Sequence, residues 1–265
     1  MKTSSYFPIF LFTLATALTG CSSSQNSVPE TDSYLHIRSC RAQGESITGI
    51  NDFGLFVTTE DGSNYDTNSN NAHVILQSDK WEIPPISIKS NNPGKLFAYY
   101  PYIDDATVTG ITVNLLPQTD YLFSKGQTVT STSYTPDIEL HHVLSKVTVS
   151  VNDESVSDIS VADYPMTGVL NLFAGTLTKN NGKGTITSGK SEILLFPGSN
   201  EGLTFDITYQ GESYQYSPAD TDYEAGKEYT YSLILQENNQ LTISQVTIRD
   251  WQIGGNYEGT IDSES

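Results

Sequence analysis

Basic side chains are scarce in this chain. Thirteen Lys and Arg stand against 31 Asp and Glu in 265 residues, a net charge of −18, and only three of the thirteen are arginines: Arg38, Arg41 and Arg249. So acidic a surface repels phosphate backbones, which excludes nucleic acid as a partner. Cysteine is scarcer still, with Cys21 and Cys40 alone, so no disulfide framework holds the fold. The apolar run Tyr6 to Leu18 is too short to span a bilayer. No stretch carries a long amphipathic helical pattern. In its place the sequence alternates β-branched and aromatic residues, including 16 tyrosines, between clusters of Gly, Asn, Asp and Pro. That pattern predicts an all-β protein.

The N-terminus carries its own signal. Met1-Lys2 gives a short positive start, the apolar run follows, and the segment closes on Leu18-Thr19-Gly20-Cys21, the form of a secretory signal. The ending resembles the lipobox of bacterial lipoproteins, which implies removal of residues 1–20 and acylation of Cys21 as a membrane anchor. Removal takes Lys2 with it, leaving 12 basic against 31 acidic side chains, a net charge of −19. With Cys21 acylated, Cys40 has no partner within the chain. Residues 21–32, which include the polar run Ser22 to Ser27, read as a flexible tether.

The remaining chain divides into two β-sandwich-like halves, residues 33–153 and 154–265, the second ending in a tail. The acidic turn at Asn152-Asp153-Glu154 is the expected hinge between them. In the first half Tyr34 to Arg38 alternates, while Phe53 to Val57 and Leu96 to Tyr100 are buried-type runs. In the second, Leu203, Phe205, Ile207 and Tyr209 alternate with polar residues before a hairpin turn at Gln210-Gly211. Tyr229, Tyr231, Leu233 and Leu235 then run to a turn at residues 237–240. The returning strand shifts its apolar phase from Leu241 and Ile243 to Val246 and Ile248, which predicts a bulge before Trp251.

Patterns that would carry catalysis or metal binding are weak. Gly184 to Ser191 has the spelling of a phosphate-binding loop, but Thr185-Ile186-Thr187 is strand-like and Ile193-Leu194-Leu195 begins another strand, so a hairpin is expected there. His141 and His142 are adjacent, hence on opposite faces of a strand, and His36 and His73 lie far off. Asp61 to Asn68 is rich in oxygen ligands but lacks the glycine and glutamate of a calcium loop. Asp104-Asp105 diverge on a strand, with no second acid placed by spacing. No nucleophile-base pattern surrounds Cys40 or any serine. The chain is therefore read as not an enzyme, with no cofactor, catalytic residue or metal site.

Five segments together carry a resemblance: Phe97-Ala98-Tyr99-Tyr100-Pro101-Tyr102, Asp120-Tyr121-Leu122-Phe123, Leu140 to Val147, Ala225 to Tyr231, and Val246-Thr247-Ile248-Arg249-Asp250-Trp251. In this order the chain resembles the fimbrillin family, the lipoprotein-precursor subunits of type V pili, including the Mfa-like branch. The resemblance implies two tandem transthyretin-like β-sandwich domains and a structural subunit of a cell-surface fimbria. It implies an outer-membrane lipid-anchored precursor, cut after an arginine by a trypsin-like protease, that polymerises with other fimbrial subunits as a donor strand fills the groove left by the first strand.

Placed on this sequence, the removable strand is Tyr34, Leu35, His36 and Ile37. The cut falls in the small, polar stretch Arg38 to Gly44, at Arg41 in preference to Arg38. The donor candidates are Leu241, Ile243, Val246, Ile248 and Trp251, with Gly254-Gly255 as a hinge. Two other classes stay open: a surface glycan-binding lipoprotein, favoured if tryptophan and tyrosine share an exposed face, and a surface hydrolase.

Overall fold

A computed structural model describes residues 32–42, 45–46 and 50–252. The signal segment, Cys21, most of the tether, Gly44, the Gly254-Gly255 pair and the tail lie outside the described residues. No helix occurs among those described. The all-β expectation holds, and it holds through two sets of packed sheets.

The larger sheet places Asp52–Thr58 and Gly94–Tyr100 at its centre, paired antiparallel. Ala72–Gln77 and Lys80–Glu82 extend it on one side, and Leu122–Phe123, Asp137–His142 and Ser39–Ala42 on the other. The two central strands are buried on both faces, which is why their sequences run apolar without alternation. Phe53, Leu55 and Val57 enter one core with Val74, Ile86, Leu96 and Leu140, whereas Phe56, Phe97 and Tyr99 face a second cluster with Val147, Phe205 and Tyr231.

That second cluster lies between two further sheets. One aligns Glu154–Ser155, Ser145–Val151, Lys227–Leu235 and Leu241–Asp250, and the other Lys183–Thr187, Asp158–Pro165, Phe205–Tyr209 and Glu212–Tyr216. Val147, Val149 and Val151 point inward as their alternation requires. The Gln210-Gly211 hairpin forms where expected, with φ of +52° and +84° at the two turn residues. Ile111–Asn114 joins a third sheet through Thr167–Asn171.

Three local expectations are corrected. Asn152 and Asp153, with φ of +50° and +63°, form a tight turn inside one sheet, and the chain passes between sheets at Val143-Leu144 instead. Gly184 to Ser191 is not a hairpin: Lys183–Thr187 pairs with Asp158–Pro165, whereas Glu192–Leu195 pairs with Ser145–Val151 in the other sheet. At that crossover Asp158 accepts the Gly189 N–H at 2.7 Å, so a carboxylate occupies the donor that a phosphate would need. Finally, Arg38 to Ala42 is not a loop, because Ser39–Ala42 is a strand between Asp137–His142 and Glu45–Ser46.

Candidate functional site

The opening segment crosses from one edge of the first core to another. Ser33 and Tyr34 pair antiparallel with Ile88 and Ser87. Leu35 then donates its N–H to the Ile86 carbonyl at 2.9 Å, His36 to Tyr134 at 2.9 Å and Arg38 to Pro136 at 3.0 Å. From Ser39 the segment runs parallel to Asp137–Leu140. The change of partner resets the side-chain phase. Leu35 and Ile37 point inward before it, Cys40 and Ala42 after it, all 8% exposed or less. Tyr34, His36, Arg38 and Arg41 face solvent.

Leu35 and Ile37 are buried in alternation, but residues 35–38 link two strands, Ser33–Tyr34 and Ser39–Ala42, and sequence pattern does not reveal the second of these. A strand of mixed small and polar residues such as Ser39-Cys40-Arg41-Ala42 gives no local signal, since its pairing is dictated by Asp137–Leu140 nearly a hundred residues away. Both arginines are exposed, Arg41 on this strand and Arg38 just before it. Arg38 Nη1 lies 3.2 Å from the Asp137 carboxylate, which also accepts the Ser39 hydroxyl at 2.7 Å. The Cys40 thiol is pushed up to about 12 by burial, which makes it an unreactive core residue.

The closing strand, Leu241–Asp250, lies at the other end of the molecule's chain order and at the edge of its sheet. Opposite Ser232 and Leu233 its register jumps from Gln245 to Ile243, leaving Ser244 as an extra residue. This is the bulge that the phase shift predicted, and its effect is to return both apolar sets to one face. Ile248, Val246 and Ile243 stand opposite Tyr229, Tyr231 and Leu233, whose side chains are buried in the core. Yet Ile243, Val246 and Ile248 are themselves 46%, 46% and 55% exposed. The reason is the facing sheet. It ends at Glu212–Tyr216, whose Tyr214 and Tyr216 only partly close the flank, and an open cleft runs between that strand and residues 239–241.

The far end of the closing strand is held by charge and by one ring. Glu228, 5% exposed, lies 2.9 Å from Arg249 Nε and 3.2 Å from Lys146 Nζ, and accepts the Thr148 hydroxyl at 3.0 Å. Burial pushes its carboxyl up, but Arg249, Lys146 and Thr148 together outweigh burial and hold it below the usual glutamate range. Its folded-state pKa is thus the lower one, so its contribution is fully present above the ordinary glutamate range and is lost as pH falls from there through the lowered folded-state pKa. Glu228→Gln should cost about 2 kcal/mol at neutral pH, because it removes the charged partner of Arg249 and of a poorly exposed Lys146, and the difference from wild type should shrink as pH falls below the ordinary glutamate range. Urea midpoints of both proteins at pH 7 and pH 3 measure this, and a pH-independent difference would contradict it.

Beyond Arg249, Trp251 is buried against His142. The His142 side chain is fully buried with Nδ1 2.9 Å from Asp120, and burial pushes the Asp120 carboxyl above the usual range against the pull of that hydrogen bond. Sequence reading noticed His142 and Trp251 separately. Nothing local in either segment signals that they meet across 109 residues. The other flagged groups stay apart: Asp61 and Asp66 accept amides of their own loop or of Ser87, and among the described residues no group of His, Cys, Asp or Glu could hold a metal ion.

The fold has known relatives. The profile of the Fimbrillin-like family matches residues 40–251, and no curated protein matches the sequence. Among solved structures, a candidate cell adhesion protein from Bacteroides uniformis is 18% identical with a TM-score of 0.67, covering 84% of this chain and 99% of its own. Another from Bacteroides ovatus is 17% identical with a TM-score of 0.65, covering 85% and 100%. A fimbrial protein from Bacteroides vulgatus is 13% identical with a TM-score of 0.57, covering 84% and 100%. At these identities the structures establish a shared fold. The sequence profile, spanning most of the chain, establishes more: the protein belongs to the fimbrillin-like family.

Proposed function

We propose that this protein is a structural subunit of a cell-surface fimbria, exported as an outer-membrane lipoprotein precursor acylated at Cys21. A trypsin-like protease cuts it after Arg41 or Arg38, residues 34–37 leave with the fragment, and a strand from another subunit fills the groove. The two halves, divided at Val143-Leu144, act as tandem transthyretin-like sandwiches that carry the acceptor and the donor respectively. The observation that carries this reading is a complementarity. The opening segment buries Leu35, Ile37 and Cys40, which its removal after Arg41 would vacate, while Ile243, Val246 and Ile248 of the closing strand are exposed in the monomer. Donating that strand forfeits little buried apolar area, and inserting it gains about 25 cal/mol for each Å² covered.

The test follows from the same asymmetry. Ile243→Asp with Ile248→Asp should leave the unfolding midpoint of the precursor within about 0.5 kcal/mol of wild type, as for exposed positions, and should abolish filaments after trypsin treatment. Electron microscopy of the digested proteins reads the outcome. Filaments as abundant as those of wild type would remove the closing strand as donor.

A second reading has one observation in its favour. Tyr34, His36, Trp81 and Pro85 line one groove beside the opening segment, and Phe53 braces the Trp81 ring edge-on at 5.0 Å. A fixed indole beside an exposed tyrosine suits the apolar face of a sugar. A glycan array probed with wild type and Trp81→Ala would reveal it.

A further inference from the structure

In the closing strand, backbone pairing and side-chain burial part company. Leu241–Asp250 is paired with Lys227–Leu235 along its length, but none of residues 242–250 is buried. Burial resumes only at Trp251, which is 7% exposed. Its ring lies parallel to the His142 imidazole, with centroids 3.8 Å apart and planes at 6°. Lys146 Nζ stands 5.3 Å from the ring centroid, within range of a cation–π contact. The Trp251 N–H donates to the Gly226 carbonyl at 2.8 Å. A strand of the first sheet thus supplies the imidazole and a strand of the second supplies the ammonium, and both converge on one ring.

The stack is opposed from within. His142 uses Nδ1 toward Asp120, while Nε2 is buried with no hydrogen-bond partner among the described residues. A buried, unpaired polar atom is destabilising, and departure of the ring would let water reach it. Burial and stacking of the indole favour closure, and hydration of the imidazole favours opening. Once the ring is out, the ladder with Lys227–Leu235 and the Arg249–Glu228 pair are what remain to hold the strand.

We propose that Trp251, gripped by His142 and Lys146, is a latch that sets how readily Leu241–Asp250 leaves its own sheet. Its use in assembly rests on the donor reading above; the latch itself is a property of the monomer. Trp251 withdraws first, His142 Nε2 is hydrated, and the strand peels from Asp250 toward Leu241. His142 and Lys146 are positioning residues that act through the ring.

Hydrogen exchange on the full chain, read by mass spectrometry, tests this without polymerisation. Trp251→Ala should raise exchange in residues 242–250 about tenfold or more, with exchange in residues 145–151 and 205–209 unchanged, since local opening is read separately from global unfolding. Trp251→Phe, which keeps a ring in the stack, should restore most of the protection. Should the alanine variant fail to fold, Trp251→Leu, which keeps an apolar side chain but no ring, should give a smaller acceleration confined to the same residues. Unchanged exchange in residues 242–250, or acceleration shared equally with residues 145–151, overturns the latch. Microscopy of trypsin-treated samples of the same preparation bears only on the donor reading, so the two fail separately.

Discussion

Cutting after Arg41 and separating the released peptide should lower the stability of the first half by about 5 kcal/mol or more. Leu35 and Ile37 are 1% and 8% exposed, and full burial of such a side chain contributes roughly 1.5–3 kcal/mol each. Cys40 leaves with them, and Ala42 loses its place in the ladder. The strand Asp137–His142 would then present unpaired N–H and C=O groups along the register that Ser39–Ala42 had satisfied. The effect should depend on separation more than on cleavage. A nicked protein that retains the peptide keeps the contacts, and a synthetic peptide of residues 33–41 added in excess should restore the midpoint by mass action. Cys40 supplies an independent reading, because a thiol pushed up to about 12 by burial should label slowly in the precursor and quickly once released. Denaturant midpoints that are the same before and after removal would refute the plug.

Gly54→Val should be the most damaging single substitution in the first sheet. Gly54 is directly opposite Tyr99 in the register, and a Cβ built there would come within 2.0 Å of the tyrosine ring. The ring has nowhere to go. It is fully buried, stacked on Phe56 at 5.8 Å, and its hydroxyl donates to Asn71 at 2.6 Å while accepting the Ile103 N–H at 3.2 Å. Burial pushes that phenol up to about 12, so it works as a hydrogen-bonding group and not as an acid. Overpacking costs about 1–3 kcal/mol, and stranding the hydroxyl partners adds about 1–3 more. The sum lowers Tm by roughly 10 °C for a chain of this size. Tyr99→Leu in the same background should recover part of the loss, because it makes room for the added side chain. A calorimetric Tm for Gly54→Val within a degree or two of wild type would be incompatible with the packing described.

How far each element could be read in the sequence follows from how local its cause is. Phe53 to Val57 and Leu96 to Tyr100 announced themselves as unbroken apolar runs, and the Gln210-Gly211 turn as a short-range hairpin signal. The bulge at Ser244 was visible as a phase shift because both the pattern and its interruption lie within ten residues. Ser39–Ala42 was not visible, because its residues have little β preference of their own and are held by a distant strand. The crossover at residues 188–191 was misread for the same reason. Two adjacent strand-like runs suggest a hairpin, and only the competing partners Asp158–Pro165 and Ser145–Val151 reveal that each belongs elsewhere. The exposure of Ile243, Val246 and Ile248 was equally hidden, since alternation marks which face a residue takes and not whether a neighbouring sheet extends far enough to cover it.

The long sequence separation between the opening segment and its partner also bears on the order in which the chain folds. Hairpins such as Asp52–Thr58 with Ala72–Gln77 close over short distances, whereas Ser39–Ala42 must wait for Asp137–Leu140. Contacts of such separation carry a large loop-closure entropy and form slowly. During synthesis or export, most of the first sheet is able to assemble before residue 137 is available, while Ser39–Ala42 still lacks the strand it pairs with. Docking of the opening segment is then the last step of folding in this half, and the species just before it has the same open edge as the cleaved protein. A chaperone or neighbouring chain that meets the protein during that interval would encounter a strand edge still open to pairing.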